Sequence, residues 1–176
     1  SGLLRFGRQN TANENYVVNG IMSGGFGLDS RMQNGTAVLE LNGLNSFTGN
    51  ASIVTGQLNA NSLANSSSAS AIGAGNSVSL GGGGGQQARL VYTGAGATTT
   101  NRTFSINTAS GGSGAFIAKN GAIDFTGTVR AQGSNTDNLL VLTGTADTGI
   151  NTISGSITNG SSSGGELDVK IQSLGA

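Results

Sequence analysis

Six carboxylates, Glu40, Asp124, Asp137, Asp147, Glu166 and Asp168, are the residues of this chain best suited to chemistry on a polysaccharide. Glycoside cleavage needs two such groups facing one bond, one as acid and the other as base or nucleophile. Tyr16, Tyr92, Arg102 and Arg130 would complete a sugar-binding groove, although no tryptophan is present to stack on a ring. Glu40 and Asp124 hold the same outward position in two copies of a recurring phrase, which predicts that they line one face. Against this stands a plainer role, because carboxylates on exposed strands keep an outer face soluble and discourage lateral sticking.

Other chemistries are poorly supplied. The chain has no histidine and no cysteine, which removes the usual zinc ligands and the commonest general base. Gly24-Gly25-Phe26-Gly27-Leu28-Asp29 matches the first six positions of a calcium-binding nonapeptide repeat. It occurs once, and Arg31 stands where a large apolar residue belongs. A calcium site of that type needs the facing turn of a second copy, so a glycine turn before a strand is expected here. Gly81–Gly85 runs into Gln86 and Gln87 instead of the Lys-Ser/Thr of a phosphate loop, and Gly94-Ala95-Gly96 lacks the third glycine of a dinucleotide fingerprint. No catalytic, cofactor-binding or metal-binding residue is predicted.

The elements that would carry these side chains follow from a repeated phrase: apolar, any residue, apolar, small polar, glycine. It reads Leu39–Gly43, Leu90–Gly94, Ile123–Gly127 and Leu140–Gly144. The gaps between closing glycines approximate three, two and one multiples of about 17 residues, and self-similarity at a short fixed period marks a stacked repeat protein. Ten coils of that length would make a rod about 48 Å long. Alternation at period two predicts half-buried strands. They are expected at Leu3–Phe6, Tyr16–Met22, Ala37–Leu41, Ala51–Val54, Ser77–Leu80, Arg89–Tyr92, Thr103–Ile106, Ala115–Lys119, Ala122–Phe125, Thr128–Ala131, Asn138–Leu142, Asn151–Ile157 and Glu166–Ile171. Leu58–Ala71 is the best helical stretch, but Asn59, Asn61 and Asn65 argue against it. Predicted core positions are Leu39, Leu41, Phe47, Ile53, Leu90, Tyr92, Phe104, Ile123, Phe125, Leu140 and Leu142.

Only 35% of the 176 residues are hydrophobic and 32 are glycine, a composition that borders on disorder. Charged residues make up just 9% and proline is absent, which is unlike disordered chains. A solenoid resolves the conflict, since stacking lets each coil manage with few inward apolar residues. The formal net charge is zero and no basic stripe is present, which argues against a nucleic-acid partner. No apolar run approaches the roughly 20 residues of a transmembrane helix, and Ser1 opens no secretion-signal pattern. Five Asn-x-Ser/Thr sequons (Asn34, Asn50, Asn65, Asn101, Asn159) are expected by chance in so Asn- and Ser-rich a chain. Buried Asn and Thr are expected instead to form ladders along the stack.

Asn34-Gly35-Thr36-Ala37-Val38-Leu39-Glu40-Leu41-Asn42-Gly43-Leu44-Asn45-Ser46-Phe47-Thr48-Gly49 resembles the autotransporter-associated β-strand repeat of bacterial secreted passengers, with Phe47 in place of the usual tyrosine. Ile53–Leu58, Asn61–Asn65, Ala71–Ala74, Leu90–Gly94, Asn101-Arg102-Thr103-Phe104 and Asn151–Ile157 are similar to segments that follow that core in long tandem arrays. The resemblance covers Tyr16 to Ala176. It implies a right-handed parallel β-helix displayed outside the cell. At Leu174-Gly175-Ala176 a family member would begin another core repeat, which suggests a segment or subunit of a longer assembly.

The expected fold class is thus all-β, a right-handed parallel β-helix (β-solenoid) of short coils with little or no helix, in a single domain over 1–176. The expected function is that of a non-catalytic extracellular or cell-surface structural protein of bacterial, secreted origin. It would self-associate into a homopolymer through its end coils, with no cofactor, no nucleic-acid partner and no membrane-spanning segment. Alternatives are an adhesin passenger stalk, with a glycan or other cell-surface ligand, and a polysaccharide-processing β-helix enzyme.

Overall fold

Short runs of alternating apolar and small polar residues, each closed by a turn, give sixteen strands and, among the described residues, no helix. The computed structural model describes residues 2–7, 15–32, 37–82, 87–108, 113–132, 138–144, 150–160 and 166–171. All named strands pair in parallel, and the chain winds as a β-solenoid. The first face stacks β1 (Leu3–Phe6), β3 (Gly27–Arg31), the start of β5 (Ala51–Ala60), β6 (Ser77–Leu80), β9 (Thr103–Ile106), β12 (Val129–Ala131) and β15 (Ile157–Thr158). The second stacks β2 (Tyr16–Val18), β4 (Val38–Leu41), the end of β5, β7 (Gln87–Tyr92), β10 (Ser113–Ala118), β13 (Asn138–Gly144) and β16 (Leu167–Ile171). The third face is mostly irregular, with a small sheet of β8 (Thr98–Thr100), β11 (Ile123–Phe125) and β14 (Thr152–Ile153).

The coil is longer than the phrase spacing predicts. On the first face Leu4 pairs with Leu28, and Ala51, Val78, Phe104, Val129 and Ile157 follow in turn. One coil therefore takes about 25 residues, an ordinary length for a solenoid repeat. Seven strand levels replace the expected ten coils, a stack of about 29 Å at the usual strand spacing. The shorter apparent period mixes faces. Leu39–Gly43 and Leu90–Gly94 leave the second face, whereas Ile123–Gly127 begins on the third. Leu140–Gly144 is on the second face but two residues out of step with Leu90, because Leu140 pairs with Gly114 and Gly114 with Ala88. A strand followed by a glycine turn has the same pattern on any face, so the phrase identifies strands and not their place in a coil.

Most expected strands form, with four informative differences. β5 continues past Val54 around a corner at Gly56, whose φ of 79° a residue with a side chain rarely adopts. It thereby serves two faces, pairing with β3 and β6 at one end and β4 and β7 at the other. Asn151–Ile157 is split by a turn into β14 and β15, on different faces. β8 lies where only a loop is expected, whereas β3 is the strand expected after the Gly24–Gly25 turn. Leu58–Ala60 ends β5, and Asn61–Ala71 is irregular backbone on the third face.

Ten of the eleven predicted core residues are buried, and Leu142 is half-buried near the last coil. Phe104, Phe116 and Phe125 come from the three faces of the prism and meet in its middle. Their ring centroids are 4.5 to 5.1 Å apart, with both Phe104 contacts edge-on. One inward column on the first face reads Phe6, Ser30, Ile53, Leu80, Ile106 and Ala131. Ser30 is wholly buried there, and its Oγ has no hydrogen-bond partner among the described residues. An unpartnered buried hydroxyl retains its desolvation cost, so Ser30→Ala is expected to stabilise the fold by about 1 kcal/mol. Urea unfolding checks this, and a lower midpoint in the variant would show that the hydroxyl is satisfied.

Candidate functional site

The described carboxylates do not converge. Glu40 is on β4 of the second face, near the start of the stack, and accepts a hydrogen bond from Asn42 Nδ2 at 2.9 Å. Asp124 is on β11 of the third face, so these two do not share a face as the phrase predicted. The phrase position repeats, but the coil does not place it on the same side. Asp124 accepts hydrogen bonds from Ser154 Oγ and Thr152 Oγ1, both at 2.8 Å, which lower its pKa. It thereby ties β11 to the coil below. Glu166 and Asp168 lie at the last level of the second face. Asp137 and Asp147 fall outside the described residues.

The side chains proposed to complete a groove are equally dispersed. Tyr16 lies at the first level of the second face, while the phenol of Tyr92 is buried and donates to the Gly96 carbonyl at 2.7 Å. Arg130 is exposed on the first face. Arg102 is 1% exposed and acts within the core.

Arg102 holds one coil together from inside. Between β5 and β6 the third face takes a long detour over residues 61–76, which turns several carbonyls inward. The guanidinium donates from Nε to Ala64 O at 2.9 Å, from Nη1 to Gly75 O, and from Nη2 to Gly73 O at 2.8 Å. Longer Nη2 bonds reach Ser68 O at 3.2 Å, Asn65 O at 3.3 Å and Ser70 Oγ at 3.4 Å. Burial lowers its pKa to about 10, so it remains charged at neutral pH. Its charge is met by backbone dipoles and a hydroxyl rather than by a carboxylate.

Asp29, the acid of the calcium-like motif, is occupied by cations. Arg5 Nε lies 2.7 Å away on the adjacent strand, and Arg31 Nε lies 3.1 Å away two residues on. Among the described residues no group of three or more potential ligands is placed to hold a metal ion. Of the phosphate-loop candidate only Gly81 and Gly82 are described. Gly81 leaves β6 at a φ of 92° and packs on the Asn107 backbone, and Gly83–Gly85 fall outside the described residues.

Asparagine works along the stack, chiefly toward backbone. Asn45 is wholly buried, accepts from the Met22 N–H at 2.8 Å and donates to the Ala71 carbonyl at 2.7 Å, so it spans three levels. Asn65 and Asn101 exchange bonds across a corner, where Asn65 Oδ1 accepts from the Asn101 N–H and Asn101 Oδ1 from the Ser66 N–H. Asn42 and Asn19 form a side-chain rung at 3.0 Å, but on the exposed surface and not among the buried residues where ladders are expected. At corners the ladder of strand bonds lapses, and a carboxamide reaches the orphaned groups.

Two surfaces stand out among the described residues. The first is the pair of stack ends. Leu3 and Val17 are 62% and 58% exposed at one end, and Ile157 and Ile171 are 48% and 83% exposed at the other. A cavity of about 610 Å³, lined by Phe116, Phe125, Ile153, Val169 and Ile171 among others, opens at the latter end. The second surface is a trough of about 350 Å³ on the outside of the second face, crossing β7, β10 and β13. Among the described residues no helix is long and apolar enough to cross a membrane. No family model matches the chain, and comparison with curated proteins and with solved structures finds no significant match.

Proposed function

We propose that this chain is a non-catalytic extracellular structural protein, a β-solenoid building block of a surface fibre that assembles end to end. The observation that supports the reading is the parallel stacking of the named strands, in which each coil presents the same kind of ladder to the next. β1 and β2 at one end, and β15 and β16 at the other, each have one strand neighbour within the described chain. Because the named strands all pair in parallel, a coil of one copy can continue the ladder of a coil in another. Such unpaired edges are templates for another chain, and the contact is heterologous, which gives an open filament instead of a closed ring. Apolar side chains exposed at both ends supply surface to bury. Resemblance to the autotransporter-associated repeat supports a secreted, bacterial, cell-surface setting.

Negative-stain electron microscopy across a concentration series is expected to show threads of uniform width at high concentration. A Val17→Lys, Ile171→Lys double variant is expected to leave short rods. Isolated rods of the unaltered chain at every concentration would overturn the reading. They would favour a monomeric adhesin stalk, to which the trough on the second face lends its one specific support.

A further inference from the structure

We propose that the outer trough of the second face binds an acidic polysaccharide chain, an interaction that goes beyond end-to-end assembly and does not depend on it. Outward positions of a solvated sheet are normally polar, yet the floor here is Val91, Ala115, Ile117 and Val141, contributed by three successive coils. Val91 points outward but is only 2% exposed, and Ala115 is buried beside it. Above this floor stand two cations from adjacent coils, Arg89 and Lys119. Register places Arg89 beside Ala115, four residues before Lys119, so the Cα atoms of the two basic residues are about 14 Å apart, mostly along the strand direction. Arg89 Nη2 donates to Gln87 Oε1 at 2.6 Å, which fixes one edge of the guanidinium. Among the described residues no carboxylate lines the trough.

The chemistry of this lining selects the ligand. β7 and β10 are paired on both sides, so their backbone groups are used and an added peptide strand has no edge to join. Recognition must come from side chains. An aliphatic floor suits the C–H faces of sugar rings. Gln57 and Ser113 offer amide and hydroxyl groups to ring hydroxyls. Thr143 Oγ1 at the margin is shielded without a hydrogen-bond partner among the described residues. Two separated cations match carboxylates spaced along a uronate polymer, with Arg89 able to take one in a two-bond fork. A neutral glycan would leave both cations uncompensated.

Fluorescence anisotropy of labelled hexagalacturonate with the full chain tests this, with labelled maltohexaose as the neutral control. Binding of the acidic oligomer alone is expected. It should weaken about tenfold in an Arg89→Gln, Lys119→Gln double variant and fall with added salt. Arg130→Gln, on the first face, should bind like the unaltered chain. Circular dichroism establishes that the variants fold, and electron microscopy reads filament formation separately, so failure of one proposal does not mimic failure of the other. The proposal is overturned by absence of binding, by equal binding of maltohexaose, or by equal loss in Arg130→Gln. Tighter binding of poly-glutamate with the same dependence on Arg89 and Lys119 would overturn it in favour of an acidic polypeptide.

Discussion

Arg102→Ala is expected to lower the unfolding free energy by about 3–5 kcal/mol, the range for truncating a large buried side chain, with the loss of its hydrogen bonds included. The residue is 1% exposed and donates to five carbonyls and one hydroxyl of the 64–75 segment. Truncation leaves those acceptors without their donor and opens a void where a large side chain stood. Arg102→Lys is expected to recover less than half of the loss, because one ammonium cannot span a fan of acceptors that a planar guanidinium reaches from three nitrogens. Guanidinium chloride denaturation of the three proteins checks the order. A midpoint for Arg102→Ala within error of the unaltered chain would show that the 61–76 detour holds its shape unaided.

Gly49→Ala is expected to cost about 3 kcal/mol, at the upper end of overpacking penalties. A Cβ there would stand 2.5 Å from both the Gly27 nitrogen and the Phe26 oxygen, and 2.6 Å from the Phe26 carbonyl carbon. All are backbone atoms of the preceding coil and cannot rotate away. The same corner repeats down the stack: Gly75 packs on Gly49, Gly127 on Arg102 and Asn101, and Gly155 on Gly127. Backbone here approaches backbone closely enough to exclude any side chain, which lets coils close at sheet spacing where the strands end. Gly25→Ala is the matched control, since a Cβ at Gly25 meets nothing within 4 Å. It should change stability by less than about 0.5 kcal/mol. Thermal melts of the two variants separate the cases, and equal effects would refute a packing role for the corner glycines.

Two glycine corners also explain what could be read in the sequence and what could not. Gly43 and Gly94 close phrases at the corner after the second face, and Gly127 closes one at the corner before the first. Both corners demand glycine for the same steric reason. The sequence therefore marks every corner alike. Spacing measured across unlike corners suggests a repeat of about 17 residues, whereas the register of one face requires about 25 residues. Arg102 shows a related limit. As an isolated arginine before an apolar strand it reads as a surface cation, and only the detour of a neighbouring coil supplies the carbonyls that make burial tolerable. The trough was equally hidden, since Val91, Ile117 and Val141 each lie a full coil apart in sequence and become neighbours only once coil length sets their register.

The class of structure was legible in the sequence: a recurring phrase, alternating at period two and closed by glycine, marks short strands stacked as a solenoid. The sequence also determined most of the core, because inward and outward positions along a strand are decided locally by the pleat. The tertiary structure alone decided coil length, the face on which each strand lies, and which outward side chains meet. Those depend on how much chain each corner and detour consumes, a quantity set by backbone contacts between coils. Glu40 and Asp124 were equivalent in the sequence and are separated in the prism, while Arg89 and Lys119, unremarkable in the sequence, stand over one floor.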